Sequence, residues 1–104
     1  MKNTKDEKMD LNEMVKMFKD DLKKSTSTSY DSDGCVLLVV NGKSVIWELY
    51  KKHLTRTNWA MIGQRFTSYE RVHSFKYNFV FGSYFTWEIV GPEGPVFGMV
   101  QIQA

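Results

Sequence analysis

Apolar residues change their spacing along this chain, and each change marks an element. Leu11, Met14, Val15, Phe18 and Leu22 follow the i, i+3, i+4, i+7, i+11 rhythm of one helical face. The spacing predicts an amphipathic helix over 10–24. Asp10 is placed to cap it, Glu13 three residues on resembles a capping box, and Lys23 and Lys24 sit where the carbonyl end of the dipole favours cations. Asn12, Glu13, Lys16, Lys19, Asp20 and Lys23 form its solvated side.

The rhythm then stops. Residues 25–33, Ser-Thr-Ser-Thr-Ser-Tyr-Asp-Ser-Asp, hold no aliphatic side chain and read as a Ser/Thr linker. Cys35-Val-Leu-Leu-Val-Val40 is short and β-branched, the pattern of a strand buried on both faces. Asn41-Gly42 follows, the residue pair that best tolerates the two positive φ angles of a type I′ hairpin turn. The segment 44–54 supports two readings. As a strand it pairs back onto 35–40. As a helix it places Ile46, Leu49, Tyr50, His53 and Leu54 on one face, with Ser44 as cap and Glu48 facing Lys52.

Trp59 to Thr67 is expected as a further strand. Ser74 to Phe81 and Tyr84 to Val90 are expected to pair across a two-residue Gly82-Ser83 loop. Gly91-Pro-Glu-Gly-Pro95 reads as a turn, and Val96 to Gln103 as a last strand. With that loop, Phe75, Tyr77, Phe79, Phe81, Tyr84 and Val90 share one face, while Val80, Phe85, Trp87 and Ile89 occupy the other. A hairpin apolar on both faces needs cover on both, from a curled sheet or from a partner chain. The expected fold is therefore α+β: an N-terminal amphipathic helix packed on a four- to five-stranded, strongly curved antiparallel sheet.

Charge divides the chain. Seven lysines and six acids crowd into residues 1–24, half of the charged side chains in 104 residues. Residues 1–9 hold no apolar side chain beyond Met1 and Met9 and read as a disordered head. The expected organisation is that head, then a single domain over 10–104: helix 10–24, linker 25–33 and sheet body 34–104. One cysteine forbids an internal disulfide. The longest apolar run, Cys35 to Val40, falls far short of the roughly 20 residues a spanning helix needs. No apolar stretch follows the first lysines, so no secretory leader is expected, and the expected location is the cytoplasm.

Catalytic and metal signatures are weak. Asn41-Gly-Lys-Ser44 ends like a phosphate-binding loop, but the first glycine of that motif would fall at Leu37. Asp31-Ser-Asp-Gly34 opens like a calcium loop, yet the later ligand and glycine positions are Cys35, Val36 and Gly42. His53 and His73 have no zinc-ligand spacing. Cys35 opens an apolar strand and is expected as a buried thiol; a Cys35–His73 nucleophile pair has no local support. No enzyme activity, metal or cofactor is expected.

The clearest charge feature is residues 51–76, where six cations face one acid, Glu70. Lys51, Lys52, Arg56, Arg65, Arg71 and Lys76 are interleaved there with Trp59 and Tyr69. Together with Phe85 and Trp87 of the hairpin, they form the expected partner-binding set. Aromatics and arginines dominate protein-interface hot spots. Cations among aromatics also suit a single nucleic-acid strand. The leading expectation is a small cytosolic binding protein that docks on another protein as an inhibitor or adaptor, with a homodimer as a further expectation. The alternatives are a single-stranded nucleic-acid-binding module built on 51–76, and a small-molecule binder or enzyme with a pocket under the sheet. No membrane partner is expected. A charged head, aromatic strands and no motif are common among phage and mobile-element products, an association rather than a mechanism.

Overall fold

The computed structural model describes residues 6–30, 35–59, 64–80 and 83–101. Among these residues the single helix, α1 (Leu11–Lys24), starts where the capping chemistry requires: the Asp10 carboxylate accepts from the Glu13 amide at 2.8 Å. It ends at Ser25, whose hydroxyl donates to the Leu22 carbonyl at 2.8 Å.

The strands are β1 (Asp6–Met9), β2 (Ser25–Tyr30), β3 (Cys35–Val40), β4 (Lys43–Tyr50), β5 (His53–Asn58), β6 (Gln64–Ser68), β7 (Ser74–Val80), β8 (Tyr84–Gly91) and β9 (Gly94–Gln101). They form two sheets, one of six strands in the order β1-β6-β5-β4-β3-β2 and one of three in the order β7-β8-β9. The chain is α+β as expected, with more sheet than the four to five strands foreseen. Pairing is antiparallel except between β1 and β6, which run parallel.

Two polar segments are strands against expectation. Residues 25–30 of the supposed linker pair with β3, Thr28 opposite Leu38 and Tyr30 opposite Val36. Residues 6–9 of the supposed head pair with β6, Glu7 opposite Phe66 and Met9 opposite Ser68. The physical reason is the same for both. Each is the outermost strand of the sheet, held by main-chain hydrogen bonds to the strand inside it, and an edge strand needs little apolar surface of its own. Residues 1–5 and 31–34 lie outside the described residues.

The ambiguous segment 44–54 resolves as hairpin, not helix. Asn41 and Gly42 take φ angles of 53° and 76°, the two left-handed positions the turn demands. Lys51 and Lys52 make a second such turn at 50° and 66°, with no glycine or asparagine to relieve it. Of the strand expected over 59–67, Gln64–Ser68 is extended, and 60–63 lie outside the described residues.

The β7–β8 register corrects the hairpin. Three residues, 81–83, separate the strands, and Val80 pairs with Tyr84 and Phe79 with Phe85. A one-residue shift exchanges faces. Phe75, Tyr77 and Phe79 therefore share a face with Phe85, Trp87 and Ile89, joined by Val96, Gly98 and Val100 of β9. Lys76, Asn78, Thr86 and Glu88 take the other. Val80, Tyr84 and Val90 lie on that second face too, half-buried, so the hairpin has one continuous apolar face and one mixed face; Phe81 lies outside the described residues.

That face and the inner face of the large sheet both close on α1. The Phe18 ring meets Trp47 of β4 edge-on at 5.0 Å between centroids, and meets Phe75, Phe85 and Trp87 of the small sheet at 5.5, 6.3 and 5.5 Å. Met14, Val15, Leu22, Val36, Leu38, Val45, Leu54, Val72 and Ile89 fill the remaining core. Burial of this apolar area is the main force holding helix and sheets together. Among the described residues no helix is long and apolar enough to cross a membrane.

Candidate functional site: the open face of the large sheet

The strand β3 was expected to be buried on both faces. Val36, Leu38 and Val40 do point into the core, but Leu37 is 40% exposed, and Val39 and Cys35 are half-buried on the other side. Among the described residues no helix or second sheet lies over that side. The register then lists what the open face presents. Cys35, Glu48, Thr55, Thr67 and Lys8 form one cross-strand row; Ser29, Leu37, Ile46, Thr57 and Arg65 form the next; Tyr50 and His53 pair beyond the first. One half is apolar (Leu37, Val39, Ile46), the other threonine-rich and charged.

A cleft of about 500 Å³ opens on the charged half, lined by Glu48, Tyr50, Lys51, His53, Thr55, Arg65 and Thr67. Its rim is the Lys51–Lys52 turn. The Lys51 ammonium lies 5.3 Å from the Tyr50 ring centre. His53 Nδ1 is 3.0 Å from the Lys51 carbonyl oxygen, to which its N–H donates. Thr55 is buried in the cleft wall, and Thr57 is buried in the neighbouring cross-strand row. The cleft thus offers two cations, one carboxylate, an imidazole and hydroxyls beside exposed apolar side chains. Among the described residues no three His, Cys, Asp or Glu side chains are grouped to hold a metal ion.

The expected partner-binding residues divide by face. Lys51 and Arg65 meet in the cleft, and Lys52 stands exposed on its rim. Arg56 points the opposite way. Its guanidinium donates to Asp21 of α1, Nε at 2.6 Å and Nη2 at 3.2 Å, and Trp47 Nε1 donates to the same carboxylate at 2.8 Å. Arg56 is therefore a fold contact, and Phe66 packs under it at 5.8 Å. Lys76 stands on the outer face of the small sheet, remote in topology from the cleft. Trp59 and Tyr69 are exposed, as is Arg71. Tyr69 lies near Asp10 and Glu70, and its phenol is raised above its ordinary range by local desolvation, then by the negative charge of Glu70, Asp10 and Glu13. Phe85 and Trp87, expected at a partner surface, are 0% and 3% exposed; they belong to the core under α1.

Sequence reasoning did not single out Leu37, Ile46, Glu48, Thr55 or Thr67 as a surface. One signal was present: β3 is apolar at every position, and only one of its faces can meet the helix. Comparison with known proteins supplies no further identification, since no family model, no curated protein and no solved structure matches the chain.

Proposed function

We propose that this chain is a protein-docking module, acting as an inhibitor or adaptor, and that it recognises its partner with the open face of the six-stranded sheet. One observation carries the reading: exposed Leu37 and Tyr50, with half-buried Val39 and Ile46, adjoin a cleft holding Lys51, Arg65, Glu48 and His53. Apolar area bordered by mixed charge is the composition of a protein interface, where desolvated anchors supply affinity and a polar rim sets register. A nucleic-acid strand is the weaker match. Such a strand calls for cations in a continuous track, whereas Arg56 is held by Asp21, Lys76 stands on the other sheet, and the cleft contains Glu48.

The test places a photo-crosslinking residue at position 37, 50 or 13 in the full chain and irradiates it in the source cell. One protein adduct of the same mass from positions 37 and 50, absent from position 13 and lost on Ile46→Glu, is the expected result. Equal labelling from all three positions, or adducts to nucleic acid alone, overturns the reading.

A further inference from the structure

The small sheet ends in β9, and among the described residues no strand pairs with its outer edge. Proteins usually blunt such an edge with charge, proline or a bulge. This one is left plain. Residues 94–104 contain no charged side chain, and the only proline, Pro95, stands at the start of the strand. On the outer face Phe97 and Met99 are 66% and 63% exposed, the two most exposed apolar side chains of the small sheet.

The inner side of the same edge has the opposite character. A groove of about 240 Å³ runs between α1 and β9, lined by Lys19, Lys23, Trp87 and Val100, and Phe97 and Met99 line it as well. The Lys19 ammonium stands 5.8 Å from the Trp87 ring centre. Lys16 precedes these two at helical spacing, so Lys16, Lys19 and Lys23 make a basic flank with no acid in it. The acids Asp20 and Asp21 lie on the other flank, toward β4–β6, where Asp20 pairs with Lys24 at 2.9 Å and Asp21 with Arg56.

We propose that β9 is a docking edge for an extended acidic segment of another protein. The segment adds as a fourth strand, with acidic and apolar side chains in alternation. Its backbone takes up the unpaired main-chain groups of β9. Its acidic side chains turn inward to Lys19 and Lys23, and its apolar ones turn outward beside Phe97 and Met99. Strand addition draws affinity from main-chain hydrogen bonds and specificity from alternate side chains, and this edge supplies a distinct partner for each set. A second copy of the chain is a poorer occupant. Pairing β9 with itself about a two-fold axis brings both basic flanks to one side of the seam, where like charges repel. The proposal does not depend on the reading of the large sheet, which uses another surface.

The experiment uses the full chain and fluorescent peptides as long as β9, eight residues. One alternates Glu with Val, one alternates Lys with Val, and two are Glu–Val peptides N-methylated at all odd or all even positions. Fluorescence anisotropy should show binding of the Glu–Val peptide and none of the Lys–Val peptide. Lys19→Glu with Lys23→Glu, both on the helix surface, should weaken binding by about tenfold or more while circular dichroism stays unchanged. One N-methyl pattern should abolish binding and the other preserve it, because only alternate amides of an added strand face β9. Binding that ignores the charge reversal, or tolerates both N-methyl patterns equally, overturns the proposal. So does a concentration-dependent dimer that blocks the peptide, which would make a second copy the occupant.

Discussion

The two sheets grip the same helix by different means. The large sheet holds α1 through a buried polar contact as well as apolar packing: Asp21 receives Trp47 and Arg56 together. The small sheet holds it by apolar packing in which aromatic rings dominate. Phe75, Phe85 and Trp87 surround Phe18, and the buried Trp87 Nε1 has no hydrogen-bond partner among the described residues. A directional contact fixes the position of a helix along a sheet, because sliding leaves its groups unpaired. Rings in edge contact specify position less sharply and depend on close fit instead. The large-sheet seam should therefore be sensitive to lost charge, and the small-sheet seam to added volume.

Removing the shared carboxylate gives the largest effect. Asp21→Ala strands a buried guanidinium and a buried indole N–H, and should cost about 3–5 kcal/mol in urea unfolding. The double change Asp21→Leu with Arg56→Met should recover most of that loss, since it leaves no unpaired charge. On the other seam, a Cβ at Gly98 would land on the Trp87 indole. Gly98→Ala should cost about 1–3 kcal/mol by overpacking, and Trp87→Phe in the same chain should relieve part of it. A double-mutant cycle checks the coupling. If Gly98→Ala is silent while Asp21→Ala is severe, the small sheet is the more compliant of the two.

Smaller effects arise where the chain turns or crosses between the sheets. Lys52 holds a left-handed backbone angle that glycine adopts without strain. Lys52→Gly should raise stability by about 0.5–1 kcal/mol in thermal or urea melts, with Lys51 and the cleft rim retained. Tyr69 begins the connector to β7, anchored by the Val72 amide on the Lys52 carbonyl and the His73 amide on the Val90 carbonyl, both at 2.7 Å. Its folded phenol pKa is raised, so folding favours the protonated ring. That contribution is complete below the ordinary phenol range and is lost as pH rises through the folded value. Glu70→Gln should lower the ionisation point, read by phenolate absorbance, and only in part, because desolvation comes first among its causes.

Legibility in the sequence followed the range of the interaction. The helix, its Asp10 cap and the Asn41-Gly42 turn rest on neighbours within a few residues and were readable. The polar strands β1 and β2 were not, because main-chain pairing with β6 and β3 holds them and composition does not record it. The Asp21–Arg56 contact joins positions 35 apart, and Trp47 stands 26 from Asp21. Arg56 therefore stands in the expected partner-binding set although it is a fold contact. Of the expected binding residues, Lys51 and Arg65 meet in one cleft, while Phe85 and Trp87 were displaced into the core by a loop longer by one residue than Gly82-Ser83 suggested.

That loop behaves as a parity setting. With an odd number of residues between β7 and β8, odd-numbered positions of one strand face odd-numbered positions of the other, Phe79 opposite Phe85. An even number would set Phe79 opposite Thr86 and turn Phe85, Trp87 and Ile89 outward together. Insertions or deletions here are thus tolerated in steps of two. A lineage in which this connection changes length should carry the same parity, whatever residues it uses.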